Sequence, residues 1–140
     1  MSALVTLADD SGLCVRALNN RPGVYSARFA GPGCNYLDNC KKVLKLLGSK
    51  PASQRSAFFC STVALYRNGK KIKVLKGICR GRITAEMLGQ NGFGFDPIFV
   101  FFGLSKTFAQ MTPAEKNRVS HRAAALRQVK TFLKSYFRSA

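Results

Sequence analysis

Apolar residues fall along the chain in blocks of strand or helix periodicity, with Gly, Pro and Asn between them. Residues 3–7 are apolar and β-branched enough to predict a strand. They lead into Asp9-Asp10-Ser11-Gly12, a composition typical of a turn, and residues 13–18 resume the strand pattern. Residues 36–47 predict a helix with Leu37, Cys40, Leu44 and Leu47 on one stripe and Lys41, Lys42 and Lys45 outside it. Gly48 and then Pro51 mark its end, in the usual order of glycine first and proline shortly after. Residues 57–66 and 71–83 flank Asn68-Gly69, a pair that tolerates positive φ at both positions and so predicts a type I′ hairpin between antiparallel strands. A glycine-rich loop follows at 89–94. The Phe, Ile and Val run at 95–102 predicts a buried strand, and 107–111 a further short one.

Thr112-Pro113-Ala114-Glu115 has a hydroxyl cap, a proline at the first helical position and a glutamate at the third, which starts a helix. Val119, Leu126, Val129, Leu133 and Tyr136 continue an apolar stripe, while Arg127, Lys130, Lys134 and Arg138 are left for water. Within this segment Lys116, His121 and Arg122 are natural partners for phosphate oxygens. At about 100° per residue, His121 lies roughly 140° and Arg122 roughly 240° around the axis from Lys116, so one unbroken helix cannot aim all three at one ligand. A break within 117–120 would, with Ser120 capping the continuing helix and turning its N-terminus toward an anion.

At 140 residues with 46% hydrophobic side chains, the chain can bury one core and is expected to form a single domain over 1–140. No apolar run approaches the ~18 residues of a membrane span, and residues 1–8 lack the features of a secretory signal. The expectation is a soluble protein of the cytoplasm or an organellar matrix. Five cysteines, odd in number and with no CxxC pair, predict reduced thiols. The charge stands out: 23 Lys and Arg face 6 Asp and Glu, a net charge of +17 that attracts polyanions such as RNA or nucleotide polyphosphates, unless the excess is only drift on solvated faces.

Four of the six acids, Asp9, Asp10, Asp96 and Glu115, sit inside short motifs. Asp9, Asp10 and Ser11 offer two hard carboxylates and a hydroxyl, which suits Mg²⁺ holding a polyphosphate; adjacent acids in a turn also serve as solvated or capping groups. In Gly92-Phe93-Gly94-Phe95-Asp96-Pro97 the glycines allow close backbone approach, two rings could sandwich a base and Asp96 could read its edge, or the loop is simply tight with core phenylalanines.

Taken in order, LADDSGL at 7–13, RPGVYSARFAG at 21–31, NGFGFDPIF at 91–99 and TPAEKNRVSHRAAAL at 112–126 resemble the inosine triphosphate pyrophosphatase family, in its bacterial form. The resemblance spans nearly the whole chain. It implies an α/β fold with a long mixed twisted sheet, flanking helices and a site in the cleft between two lobes. The implied reaction is Mg²⁺-dependent hydrolysis of inosine, xanthosine or deoxyinosine triphosphate to the monophosphate and pyrophosphate, usually in a homodimer. On that resemblance Asp10 is proton acceptor and metal ligand, with Asp9 beside it. Ser11 touches substrate, Phe93, Gly94, Phe95 and Asp96 form the base-reading loop, and Lys116, His121 and Arg122 hold base and phosphates. Tyr25 and Arg28 lie near the same cleft. Family members begin with a strand and a Ser/Thr-Gly-Asn-x-x-Lys phosphate loop that have no counterpart here, so the domain is expected to be truncated at its N-terminus. A partner chain that completes the sheet is one expectation. The alternative is an inactive member of the fold that binds RNA within a ribonucleoprotein.

Overall fold

The computed structural model describes residues 4–139. Strands β1 (Val5–Val15), β2 (Arg21–Pro22), β3 (Ser56–Arg67), β4 (Lys70–Ile83) and β5 (Phe99–Phe101) form one sheet in the order β2-β1-β3-β4-β5. Helices α1 (Tyr36–Leu47), α2 (Pro113–Val119) and α3 (His121–Arg138) flank it. The expected α/β fold, a sheet with helices packed against it, is what the chain adopts, and among the described residues every strand pair is antiparallel. No helix among them is long and apolar enough to cross a membrane.

The expected turn at Asp9-Asp10-Ser11-Gly12 does not form. β1 runs straight through it, each residue facing one residue of β3 from Asp9 opposite Val63 to Gly12 opposite Cys60. Strand preference is set by cross-strand neighbours more than by the backbone, and an unbroken ladder from Val5 to Val15 overrides four turn-forming residues. Residue 3 of the expected first strand lies outside the described residues.

β3 alternates regularly, with Ala57, Phe59, Ser61, Val63 and Leu65 buried and the residues between them less so. The buried face carries the core. Leu13, Val15, Phe59, Phe99 and Phe108 gather at one end and Val63, Leu65, Ala125 and Val129 at the other. α3 can lie this close to the sheet because β4 is bare at Gly77, where a methyl group would overlap the His121 carbonyl oxygen and the Ala125 backbone nitrogen. At the C-terminal end of α1, the buried Arg55 guanidinium donates to the carbonyls of Ile83 (3.0 Å), Thr84 (2.7 Å), Gly48 and Lys50 (both 3.2 Å). Burial pushes its pKa down, and the carbonyl fan satisfies its N–H groups without a carboxylate.

The hairpin is as expected, with positive φ at Asn68 and Gly69. Other elements differ. The buried stripe of α1 is Asn39, Cys40, Val43 and Leu47, with Leu44 partly buried and Leu37 exposed, so the helix is rotated from the expected face by one position. Residues 96–98 wind into a 3-10 turn, because Pro97 cannot donate to a ladder, and the strand begins only at Phe99. Of 107–111, only Thr107 bridges to Val100; Thr107 and Gln110 then cap each other around another 3-10 turn.

The dependence on Gly77 is testable: Gly77→Val should displace the start of α3 and cost about 1–3 kcal/mol or more in urea denaturation, the usual range for overpacking. Wild-type stability in that variant would mean the helix does not rest on β4 there.

Candidate active site

A cleft of about 920 Å³ opens between the buried sheet face, the loop at 91–96 and the junction of α2 with α3. Its floor includes Ser11 and Leu13 of β1 and Phe59 of β3, and one wall includes Ser26, Ala27, Tyr36 and Asn39.

The loop is built around Asp96. Its carboxylate is almost fully buried, and Oδ2 accepts from the Phe93 backbone N–H (3.1 Å) and from Lys116 Nζ (2.5 Å). Gly92, at φ 74°, must lack a side chain, since a Cβ would overlap that same oxygen. Gly94 takes φ 62° and its carbonyl accepts from Cys40 Sγ at 3.3 Å. Burial, with the Asp96 charge nearby, pushes the Cys40 thiol up to about 12, so it stays a donor. Asp96 therefore spends one oxygen on shaping the loop. Phe93 and Phe95 separate: Phe93 is 59% exposed, whereas Phe95 is 4% exposed and packs into the core at the cleft floor. The expected two-ring sandwich is thus a single open ring, because the 3-10 turn at 96–98 tucks Phe95 inward. Lys116 Nζ stands 5.1 Å and Arg122 Cζ 5.7 Å from the centre of the Phe93 ring.

The expected helix break is present. α2 opens with the Thr112/Glu115 capping box and ends at Ser120, whose extended backbone (φ −69°, ψ 151°) restarts the chain as α3 while its Oγ accepts from the Ala123 N–H at 3.2 Å. Lys116, His121 and Arg122 all line the one cleft as a result. His121 is 8% exposed and lies flat on Phe59, with ring centres 4.6 Å apart. Burial first, then the positive charges of Lys116 and Arg122, push its pKa down to about 4, against a smaller upward pull from Asp9. The ring is neutral at physiological pH.

Asp9 and Asp10 are split by the strand they share. Successive strand residues point to opposite faces; Asp9, opposite the buried Val63, lies on the α3 side and accepts from Arg122 Nε at 3.0 Å, while Asp10 lies on the other face with no hydrogen-bond or ion-pair partner among the described residues. The expected joint metal site is not preformed, and among the described residues no three His, Cys, Asp or Glu side chains come together to hold a metal. Mg²⁺ needs no such cage, since it is commonly held by one or two carboxylates with substrate phosphates and water. Asp10, unpaired, fits that role; Asp9, engaged by Arg122, fits it less well.

Tyr25 and Arg28 stack on each other, 5.0 Å from Arg28 Cζ to the ring centre, while it is Ser26 and Ala27 of the same turn that face the cleft. Ser26 Oγ accepts from the Leu13 N–H (2.9 Å) and donates to the Gly23 carbonyl (2.7 Å), tying that wall to β1. Asn39 accepts from the Ala30 N–H (2.7 Å) and donates to the Ala27 carbonyl (3.1 Å). Phe59, Ser26 and Asn39 escaped the sequence reading, being ordinary strand, loop and helix residues whose partners lie far along the chain.

The neutral His121 predicts a pH dependence. The unfolded ring titrates near 6.5 and the folded one near 4, so its contribution is fully present above pH 6.5 and is lost as pH falls toward 4. At about 1.4 kcal/mol per tenfold change, this displacement is worth about 3 kcal/mol. Urea denaturation should show that loss between pH 6.5 and 4, and His121→Gln should flatten the profile there; an unchanged slope would refute the buried neutral ring.

Residues 2–132 match the model of the Ham1 family. The chain is 46% identical over 129 residues to a dITP/XTP pyrophosphatase of Thermoanaerobacter sp. (strain X514), covering 92% of this chain and 65% of the relative. It is 48% identical over 130 residues to one of Lactobacillus acidophilus, covering 91% and 64%. It thus spans about 65% of the length of the curated relatives it matches. Among solved structures, the Staphylococcus aureus Ham1 protein superposes with a TM-score of 0.88 at 40% identity over 94% of this chain and 68% of that one. A HAM1 protein from Coxiella burnetii gives 0.87 at 42%, with the same coverage. Matched by the family model over residues 2–132 and superposing closely on solved Ham1 proteins, the protein belongs to the Ham1 family.

Proposed function

We propose that this chain carries the site of a pyrophosphatase that hydrolyses inosine, xanthosine and deoxyinosine triphosphates to the monophosphate and pyrophosphate. The observation that carries the reading is the open Phe93 ring flanked by Lys116 and Arg122, with His121 lining the same cleft, on one side of β1, and the unpaired Asp10 carboxylate on the other. Its relatives' names, dITP/XTP pyrophosphatase, support the substrate class.

A purine stacks on Phe93, whose side chain is exposed to the cleft. Donors from the α2–α3 junction meet the 6-keto oxygen, and an adenine amino group in that place would leave them unpaired. Ser11 lies on the path from the base to the phosphates. From Val5 to Leu13 the outer edge of β1 is paired with no strand among the described residues, so a triphosphate can cross it toward Asp10. There Asp10 takes the proton of a water whose oxygen attacks the α-phosphorus; the bond to the bridging oxygen breaks and pyrophosphate leaves. Mg²⁺, held by Asp10 with the phosphates, would neutralise their charge and orient them. The same open edge supports a homodimer or a partner strand that completes the sheet.

The test is pyrophosphate release from inosine triphosphate against ATP, with Mg²⁺ supplied. Inosine triphosphate should be preferred, and Asp10→Asn should lower turnover by ~10²-fold to 10⁴-fold. Equal turnover of ATP, or an Asp10→Asn variant within a factor of a few of wild type, would overturn the assignment. No turnover together with salt-sensitive RNA binding would instead favour an inactive binding module.

A further inference from the structure

Two glycines flank Phe93, and they are held in unequal ways. Gly92 is wedged: a Cβ there would overlap Asp96 Oδ2, the oxygen that also accepts from the Phe93 N–H at 3.1 Å. Gly94 is not. At φ 62° it sits in the left-handed region, and a Cβ built on it would meet no atom within 4 Å, so packing does not fix its torsions. What holds it is a hydrogen bond from 54 residues away, donated by the Cys40 thiol to the Gly94 carbonyl at 3.3 Å. Among the described residues Gly94 makes no other hydrogen bond.

We propose that Cys40 is a positioning residue of the 91–96 loop, whose thiol fixes the Gly94 carbonyl and through it the direction of the Phe93 ring. Phe93 is 59% exposed, so little packs against the ring itself. Phe95, two residues on, is buried in the same core cluster as Cys40 and gives a fixed point. Phe93 is joined to that point through the torsions of Gly94, and tying the Gly94 carbonyl removes that freedom. A ring held in one direction before a ligand arrives does not have to be ordered when it binds.

A thiol suits the position. Cys40 is 0% exposed beside Leu13, Val43 and Leu47, where sulfur packs as a small apolar group and still offers a weak S–H donor. Burial first, then the Asp96 charge, keeps that proton in place. Cys40 is not among the residues lining the cleft, so it acts through the loop and not on a ligand. Its neighbour Asn39 holds the opposite wall through Ala27 and Ala30, and one turn of α1 thereby sets both walls. The inference rests on the proposed nucleotide site for its ligand, though not for the loop geometry.

Two substitutions separate the donor from the volume. Cys40→Val keeps an apolar side chain and removes the S–H; Cys40→Ser keeps a donor and leaves the site underfilled. In the nucleotide-free protein, amide hydrogen exchange at Phe93 and Asp96, whose N–H groups close the loop, should be about two- to fivefold faster in Cys40→Val and close to wild type in Cys40→Ser. For inosine triphosphate, Cys40→Val should raise KM by the same factor, that of a weak hydrogen bond of about 0.5–1 kcal/mol, with kcat nearly unchanged, and Cys40→Ser should restore it. Should Cys40→Val fail to fold by urea denaturation, Cys40→Ala takes its place as the variant without a donor. Wild-type exchange in the folded variant without a donor, or a serine variant as disturbed as the valine one, would mean that residue 40 only fills space and overturns the proposal. Exchange that behaves as expected in proteins that turn over no nucleotide would remove the nucleotide assignment and leave the role of Cys40 in the loop standing.

Discussion

Ser120 holds an extended backbone between two helices, and the geometry of the cleft follows from that one residue. Without the break, Lys116 and Arg122 would leave a common helix in directions about 120° apart, with His121 about 140° from Lys116. With it, α2 carries Lys116 to Asp96 and α3 carries His121 and Arg122 over the sheet. The break is affordable because both ends are capped by side chains: Thr112 accepts from the Glu115 N–H at the start of α2, and Ser120 from the Ala123 N–H at the start of α3. Gly77 then lets the restarted helix settle onto β4.

That placement sorts two cations by how tightly each is held. The Lys116–Asp96 pair is nearly buried, with side chains 19% and 4% exposed, and Asp96 also holds the Phe93 backbone. Breaking it would leave a buried charge uncompensated and loosen the loop. The Arg122–Asp9 pair is 42% and 36% exposed, and pairs so wet contribute little. Arg122 is therefore the cation more easily released from its carboxylate, while Lys116 stays with the loop. His121 lines the same cleft without adding a third positive charge, which its burial and the two cations disfavour.

Features encoded by neighbours in the chain were legible in the sequence. The Asn68-Gly69 turn, the Thr112 capping box, the end of α1 at Gly48 and the need for a break near Ser120 each depend on a few consecutive residues, and each is present. Features settled by distant partners were not. Asp9-Asp10-Ser11-Gly12 has the composition of a turn, yet β3 pairs with every one of those residues. Phe95 resembles Phe93 in type and spacing, and only the fold of the following turn buries one and leaves the other open. Val43 reaches the core in place of Leu37 because contact with Leu18, Phe29 and their neighbours sets the rotation of α1, which helical spacing alone leaves free.

The misjudged turn has a chemical consequence. Had residues 9–12 formed a loop, both carboxylates could have turned to one metal, and the acidic pair would have been a ligand set. As a strand, the same two residues are committed by the two-residue period to opposite faces. Asp9 meets Arg122 on the α3 side of the sheet, where it also pulls the His121 pKa upward. Asp10 is left on the far face beside the open edge of β1, a carboxylate with no cation to neutralise it among the described residues. An unpaired acid keeps its lone pairs available for a proton or a cation, whereas a paired one does not. On the proposed function the strand thus separates recognition from reaction by one residue, and any ligand that uses both faces must lie across β1 instead of along it.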